Sequence, residues 1–242
     1  MTASFANITK VPELRTRILF TLALLSVYRL GIFITVPGVD RILMQKVLEQ
    51  QSGNLFGMFN MFVGGALEQA SVFSLGIMPY ISASIIIQLL TVVVPTLERL
   101  KKEGEQGQKK ITQYTRYGTI GLALVQGTII ASNLEGLNYN GQSGVLEPGW
   151  GVKALTILSL TAGTAFIMWL GEQITEKGVG SGMSLIIFAG IIAGLPSGLL
   201  STVQLAQSEV IQPMTLMIVG AFIIIGTYFV VFVERGQRRI PV

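Results

Sequence analysis

Apolar residues in this chain run on in long blocks instead of alternating as in a strand or recurring as one face of a surface helix. Crossing the roughly 30 Å hydrocarbon core of a bilayer takes about 20 mostly apolar residues in helical form. Six blocks qualify: Ile18–Val36, Val72–Val94, Tyr117–Leu134, Ala154–Leu170, Met183–Leu200 and Met214–Val233. They predict an all-α polytopic membrane protein with six transmembrane helices. Residues 1–17 place Lys10, Arg15 and Arg17 before the first block. A signal n-region has this look, but no small-residue cleavage site follows, so the first span is read as retained. No repeat is visible among the six.

The segments between the blocks differ in character. Leu97–Thr115 is charged and rich in Gly and Gln, which predicts a solvated, mobile loop. Glu135–Gly151 (EGLNYNGQSGVLEPGWG) reads as a turn-rich external loop. The glycine run Glu176–Gly182 lacks a following GK[ST], so it reads as a loop or helix boundary and not as a phosphate cradle. Leu55–Leu67 (LFGMFNMFVGGAL) is apolar but short. At 1.5 Å per residue it reaches about 20 Å, less than a span. Two readings stand. It is a re-entrant half-helix, tolerated only within protein or beside a water-filled cavity, or a helix lying flat on the external surface. Gly57, Gly64 and Gly65 weaken it as a helix, and Asn60 sets one polar group in its middle.

Pro79 falls inside the second block and predicts a kink there. Ile77 and Ile81 are spaced i,i+4, Gln88 lies near the same face, and Met183 and Ile187 repeat the spacing in the fifth block. A ring of bulky apolar side chains at a constriction blocks ions by dewetting. The same pattern also fits ordinary lipid-facing or packing residues.

Composition narrows the chemistry. Half the residues are hydrophobic, 12% are charged and mean hydropathy is +0.63; a soluble domain carries about 25% charged residues. The chain has no Cys and no His. Disulfides, thiolate metal sites, histidine triads and most zinc chemistry are thereby excluded. No cofactor and no metal are expected. The 28 glycines suit close helix packing in lipid.

Charge sets the orientation. One side of the membrane receives Lys10, Arg15 and Arg17, the six basic residues from Arg99 to Arg116, Lys177, and Arg235, Arg238 and Arg239. The other receives only Arg41, Lys46 and Lys153. The positive-inside rule then puts both ends of the chain in the cytoplasm. Arg29 lies within the first block, where a charge costs about 2.5–3.5 kcal/mol on insertion scales. Packing against another helix or a partner subunit is the preferred reading over an ion or substrate path. Glu172 and Glu176 sit one turn apart, but with no apolar pocket or metal partner evident they do not read as a catalytic pair.

Long ordered stretches carry more than the periodicity does. They are MFNMFVGGALEQASVFSLGIMPYISASIIIQLL, PTLERLKKEGEQGQKKITQYTRYGT, MWLGEQITEKGVGSGMSLIIFAGI and FVVFVERGQRRIPV. These resemble the bacterial SecY family, the core subunit of the Sec protein-conducting channel, over nearly the whole chain. The resemblance implies the first half of an inverted-repeat ten-helix channel: a cytoplasmic N-terminus (1–17), a five-span half (18–200) with a re-entrant plug half-helix (55–67), an external loop and sixth span (201–233), and the start of a cytoplasmic docking loop (234–242). It implies a pore ring of Ile77, Ile81, Met183 and Ile187, with methionine standing where isoleucine is common. It implies a plug containing Phe56, Met58, Phe59, Asn60, Met61, Phe62, Gly64 and Gly65. Ser82, Ile85 and Gln88 would border a lateral gate, and Arg235, Arg238 and Arg239 would dock the cytosolic partner. Implied partners are SecE and SecG, the SecA motor ATPase, the ribosome, signal sequences of precursor proteins, the C-terminal half of SecY and the lipid bilayer, in the bacterial inner membrane. The function expected is passive conduction of unfolded polypeptide and lateral release of apolar segments, with no enzymatic activity.

Two rivals remain at this point. Half of a small-solute secondary transporter suits glycine-rich, broken spans, but would need polar ligands at the midplane, where only Arg29 is charged. An intramembrane protease would need a Ser–Lys pair, and no lysine lies within a span core.

Overall fold

The computed structural model describes residues 12–50, 60–136, 138–139, 142–143, 149–207 and 213–236. It separates into two units, residues 1–194 and 195–242. All six expected blocks lie in or over helices, with boundaries that differ from the sequence reading in instructive places.

Helix α1 (Pro12–Gly31) opens on proline, whose missing N–H is no loss in a first turn, and carries Glu13 at its positive end. It stops five residues before the apolar block does. At Gly31 the ring of Phe73 occupies the place a Cβ would take. Beyond it the chain leaves the helix and pairs with a distant segment: Val72 N–H donates to Ile34 O and Val36 N–H to Ala70 O, both at 2.9 Å. Asp40 then caps α2 (Arg41–Gln50), accepting from Ile42 N–H at 2.9 Å and Leu43 N–H at 3.3 Å.

The second block is the main departure. A helical turn spans 60–62, and 63–77 is a run of turns, here termed the strap. Helix α3 (Met78–Val93) begins only at Met78, with Pro79 in its first turn. Pro79 therefore starts a helix and does not kink one, because its ring fits where no intrahelical N–H is required. The half-helix expected to reach Leu67 likewise ends at Phe62, and Gly64 and Gly65 take left-handed φ values of +69° and +85°.

At Val94 the chain turns by 97° into α4 (Pro95–Lys102). Pro95 disfavours helical geometry in the residue before it, and Val94 is extended. Gly104, at φ +73°, closes a tight turn into α5 (Glu105–Gly136). The stretch expected to be a mobile loop, Leu97–Thr115, is thus a helical hairpin. Gly107 sits directly against the Leu100 carbonyl, and Ile111 and Thr115 are buried. Ion pairs Glu98–Lys102 and Glu105–Lys109 at i,i+4 support its exposed face.

The described residues of the Glu135–Gly151 stretch include a two-residue ladder, β1 (Asn138–Tyr139) with β2 (Gln142–Ser143). Helix α6 (Trp150–Lys177) follows and buries Leu160, Ile167, Leu170 and Ile174. The glycine run is the expected helix boundary. In it Val179 N–H donates to Thr21 Oγ1 at 3.2 Å, and Gly182 N–H to Thr175 Oγ1 at 2.9 Å. Helix α7 (Gly182–Gln207) contains Pro196, and α8 (Pro213–Glu234) lies in the second unit. No described residue of α8 is buried, and its surface is the apolar one a lipid-facing helix presents.

Among the described residues three helical stretches are long and apolar enough to cross a membrane: Trp150–Lys177, Gly182–Thr202 and Met217–Glu234; the bent pair α3–α4 makes a fourth. Helix α1 falls outside that set because it carries Glu13, Arg15, Arg17 and Arg29. Two apolar clusters form the core of the first unit, and the strap feeds both. Leu67, Ala70 and Leu75 join Val36, Met44, Ala123 and Leu160 in one. Val63, Ala66, Phe73 and Ile77 join Tyr28, Ile32, Ile167, Leu170, Ile174 and Ile186 in the other.

Gly163 of α6 touches the Val72 carbonyl, whereas Gly121 of α5 faces open space. Gly163→Ala should lower the thermal stability of the purified protein by roughly 1–3 kcal/mol, as overpacking does. Gly121→Ala should leave it unchanged or raise it by up to about 1 kcal/mol through helix propensity. Thermal unfolding in detergent reads both signs.

Candidate functional site

The site is built around the strap, whose peptide groups are held by named partners. Ser71 N–H donates to Ala66 O at 2.9 Å, and the Ser71 hydroxyl donates to Gly31 O at 3.3 Å while accepting from Phe73 N–H at 3.1 Å. Ser74 Oγ donates to Ala66 O at 3.0 Å. The end nearer residue 60 is held by α1. Tyr28 Oη donates to Val63 O at 3.3 Å, and Arg29 Nη1 donates to Gly64 O at 2.8 Å. Arg29 thus packs against protein, in line with the structural reading of that charge. Gly190 of α7 comes in from the other side: a Cβ there would lie 3.1 Å from Phe62 O and 3.3 Å from Gly64 N.

Asn60 is not an isolated polar group. Its Oδ1 accepts from Glu68 N–H at 3.2 Å, its Nδ2 donates to Glu68 Oε2 at 3.4 Å, and its carbonyl accepts from Gly65 N–H at 2.9 Å. It closes the loop that brings the chain back over itself. Met61 and Phe62 are exposed, while Gly64 and Gly65 are half-buried. Phe56, Met58 and Phe59 lie outside the described residues.

The four apolar ring candidates all belong to or border one apolar cluster. Ile77 is buried within the second cluster, and Ile81, Met183 and Ile187 pack on it, half-buried. Ile77 precedes α3, but Ile81 N–H donates to its carbonyl at 3.0 Å, so the one-turn spacing survives the change of helix start. Met183 sits over Gly171, which leaves the room for its thioether. An aromatic ladder backs the cluster: Tyr28 stacks on Phe73 (centroids 6.0 Å), Phe73 on Phe166 (6.0 Å), and Phe166 meets Trp169 (5.8 Å). The gate candidates follow one side of α3. Ser82 is half-buried, Ile85 and Gln88 are exposed, and Gln88 Nε2 donates to Ser84 Oγ at 3.3 Å. Arg235 is exposed just past α8; Arg238 and Arg239 lie outside the described residues.

Glu172 does not pair with Glu176. Arg116 Nε donates to its Oε1 at 2.7 Å, tying α5 to α6. An apolar cavity lined by Val36, Met44, Leu67, Ile130 and Leu160 holds about 10 Å³, room for one water. Sequence reasoning missed Tyr28, Glu68 and Gly190. Their partners are backbone groups, or a residue across a non-helical turn, and neither leaves a periodic side-chain signal.

Comparisons with known proteins agree with this architecture. The SecY family profile matches residues 71–242. The protein translocase subunit SecY of Escherichia coli strain K12 is 55% identical over 231 residues, covering 95% of this chain and 52% of that protein. The protein translocase subunit SecY of Streptomyces coelicolor is 49% identical over 253 residues, covering 100% of this chain and 57% of its own length. The chain therefore spans about half the length of these relatives. Among solved structures, Sec61 in the canine ribosome–channel complex from the endoplasmic reticulum shares the fold at TM-score 0.64 and 20% identity, over 93% of this chain and 49% of that one. A protein-conducting channel matches at TM-score 0.52 and 19% identity, over 72% and 35% respectively.

Asn60→Ala should remove both side-chain contacts to Glu68 and loosen the 60–68 loop by about 1–2 kcal/mol. Amide hydrogen exchange across 60–70 should quicken correspondingly while α6 stays protected.

Proposed function

The chain belongs to the SecY family, and from that premise we propose that it supplies the first half of a protein-conducting pore. Unfolded polypeptide passes through this pore, and apolar segments leave it sideways into lipid. One observation supports the reading most. Ile77 and Ile81, from the start of α3, and Met183 and Ile187, from the start of α7, meet in one apolar cluster at the end of the strap. Side chains of this kind bind neither ions nor water, so a narrow passage lined by them dewets and resists ions. They are also compressible, and methionine adapts its shape readily. A chain of varied side chains can then be gripped without a specific site.

In this reading residues 55–67 are the plug on the external side, and Asn60, Met61, Phe62, Gly64 and Gly65 are its anchored end. Ser82, Ile85 and Gln88 line the seam through which a signal sequence reaches lipid. The half-exposed run from Ser82 to Gln88 suits contact with an incoming apolar helix. The remaining ring and the far side of the seam come from the other half of the channel. Arg235, Arg238 and Arg239 face the cytosol and dock a ribosome, whose phosphates suit guanidinium groups, or the SecA motor. SecE and SecG complete the assembly, the bacterial inner membrane houses it, and both ends of this chain are cytoplasmic. The chain itself is not an enzyme; the energy for movement comes from the docked partner.

Ile81→Gly and Ile187→Gly should each raise the resting ion conductance of the full-length channel in planar bilayers, and the pair more than either alone. Conductance equal to the unaltered channel would sink the proposal. Uptake of a small solute with no response to precursor polypeptide would favour a transporter instead.

A further inference from the structure

The strap has one firmly fixed part and one loosely held part, and the border between them is sharp. From Ala66 onward it is built into the core. Ala66 and Ser71 have no exposed surface, and the backbone pairs with Ile34 and Val36 beyond α1. On the other side of Val63–Gly65, Met61 and Phe62 are 54% and 45% exposed. Between the two lie the left-handed turns at Gly64 and Gly65.

Among the described residues, only a few contacts hold the 60–62 turn across that border. Asn60 is bonded to Gly65 at the turn and to Glu68 in the fixed part, so these bonds fold the 60–62 turn back onto the strap. Among the described residues, the bonds that tie it to α1 are Tyr28 Oη to Val63 O and Arg29 Nη1 to Gly64 O. Gly190 adds backbone contact on the α7 side. The guanidinium bond is the shorter of the two and carries a charge, which makes it the stronger. A charged side chain in a span is expensive unless partnered, so Arg29 strongly favours the arrangement in which Gly64 O is present to accept.

We propose that Arg29 is a latch: a positioning residue that holds the Val63–Gly65 turn against α1 and thereby sets the seated state of the plug. The inference rests on the plug reading above. Displacement of the segment pivots at Gly64 and Gly65 and breaks the Arg29 bond along with the weaker Asn60–Glu68 bonds, while Ala66–Ile77 stays fixed with the ring residue Ile77. Gly190 lies three residues beyond Ile187 on α7, which couples the two. Movement of α7 that widens the ring also withdraws the wall against which Gly64 is pressed.

The test uses the full-length channel in planar bilayers, with resting ion leak as the readout and thermal stability as a control. Four proteins are compared: unaltered, Arg29→Met, a deletion of residues 55–62, and both changes together. The latch predicts that Arg29→Met raises leak roughly tenfold or more, the scale of one charge-assisted hydrogen bond. It predicts that the same substitution adds nothing in the deletion background, and that Arg29→Lys leaks less than Arg29→Met. Leak that rises equally in both backgrounds overturns the latch, as does a silent Arg29→Met beside a leaky deletion. A deletion that does not leak overturns the plug reading itself, so the two failures are told apart. Should Arg29→Met not assemble, Gly64→Ala replaces it. That change keeps the arginine but sets a Cβ on a residue at φ +69° and 2.9 Å from Gly190 Cα, and it should leak by the same route.

Discussion

The structure turns on one constraint: a peptide group buried in an apolar core must find a hydrogen-bond partner within the protein. Leaving it without one costs several kcal/mol. Helices meet the requirement by themselves. Residues 63–77 do not form a helix, and everything distinctive about the first unit serves to satisfy them. The end of α1 unwinds to offer Ile34 O and Val36 N–H. Ser71, Ser74, Tyr28 and Arg29 supply side-chain donors. Gly31, Gly163 and Gly190 remove side chains where the strap passes closest to neighbouring helices. A strap secured in this way can lie between two apolar clusters and belong to both.

Three of the six expected spans, or four with the bent α3–α4 pair, were legible because their signal is simple: a long enough stretch without charge has few other places to go. The ends of the helices were not. The apolar block over Val72–Val94 reads equally well as one helix, since turns buried in an apolar core need the same side chains that a span needs. Pro79 carried the right information, but its meaning depends on whether residues before it are helical. The hairpin over α4 and α5 was hidden for the opposite reason. Its residues are those of a solvated loop, and only the tertiary contact of Gly107 on the Leu100 carbonyl shows why it is fixed.

The site divides similarly. Spacing placed Ile77 with Ile81 and Met183 with Ile187, but could not relate the two pairs; resemblance to a family suggested a ring, and in the structure Ile77 belongs to the second apolar cluster while the other three pack against that cluster. Arg29 stood out as a charge in the wrong solvent, and its preferred reading as a packing residue matches its bond to Gly64 O. The identity of that partner was beyond reach, because a carbonyl leaves no trace in the sequence.

The aromatic ladder has a practical consequence. It runs from Tyr28, whose hydroxyl touches Val63, through Phe73 and Phe166 to Trp169. The chain's other tryptophan, Trp150, stands 87% exposed at the start of α6 beneath Lys153. With Trp150 exchanged for phenylalanine, the tryptophan fluorescence of this chain comes from a single indole. Its emission colour and lifetime become a native optical gauge of whether the stacked rings, and the loop resting on their far end, are in place.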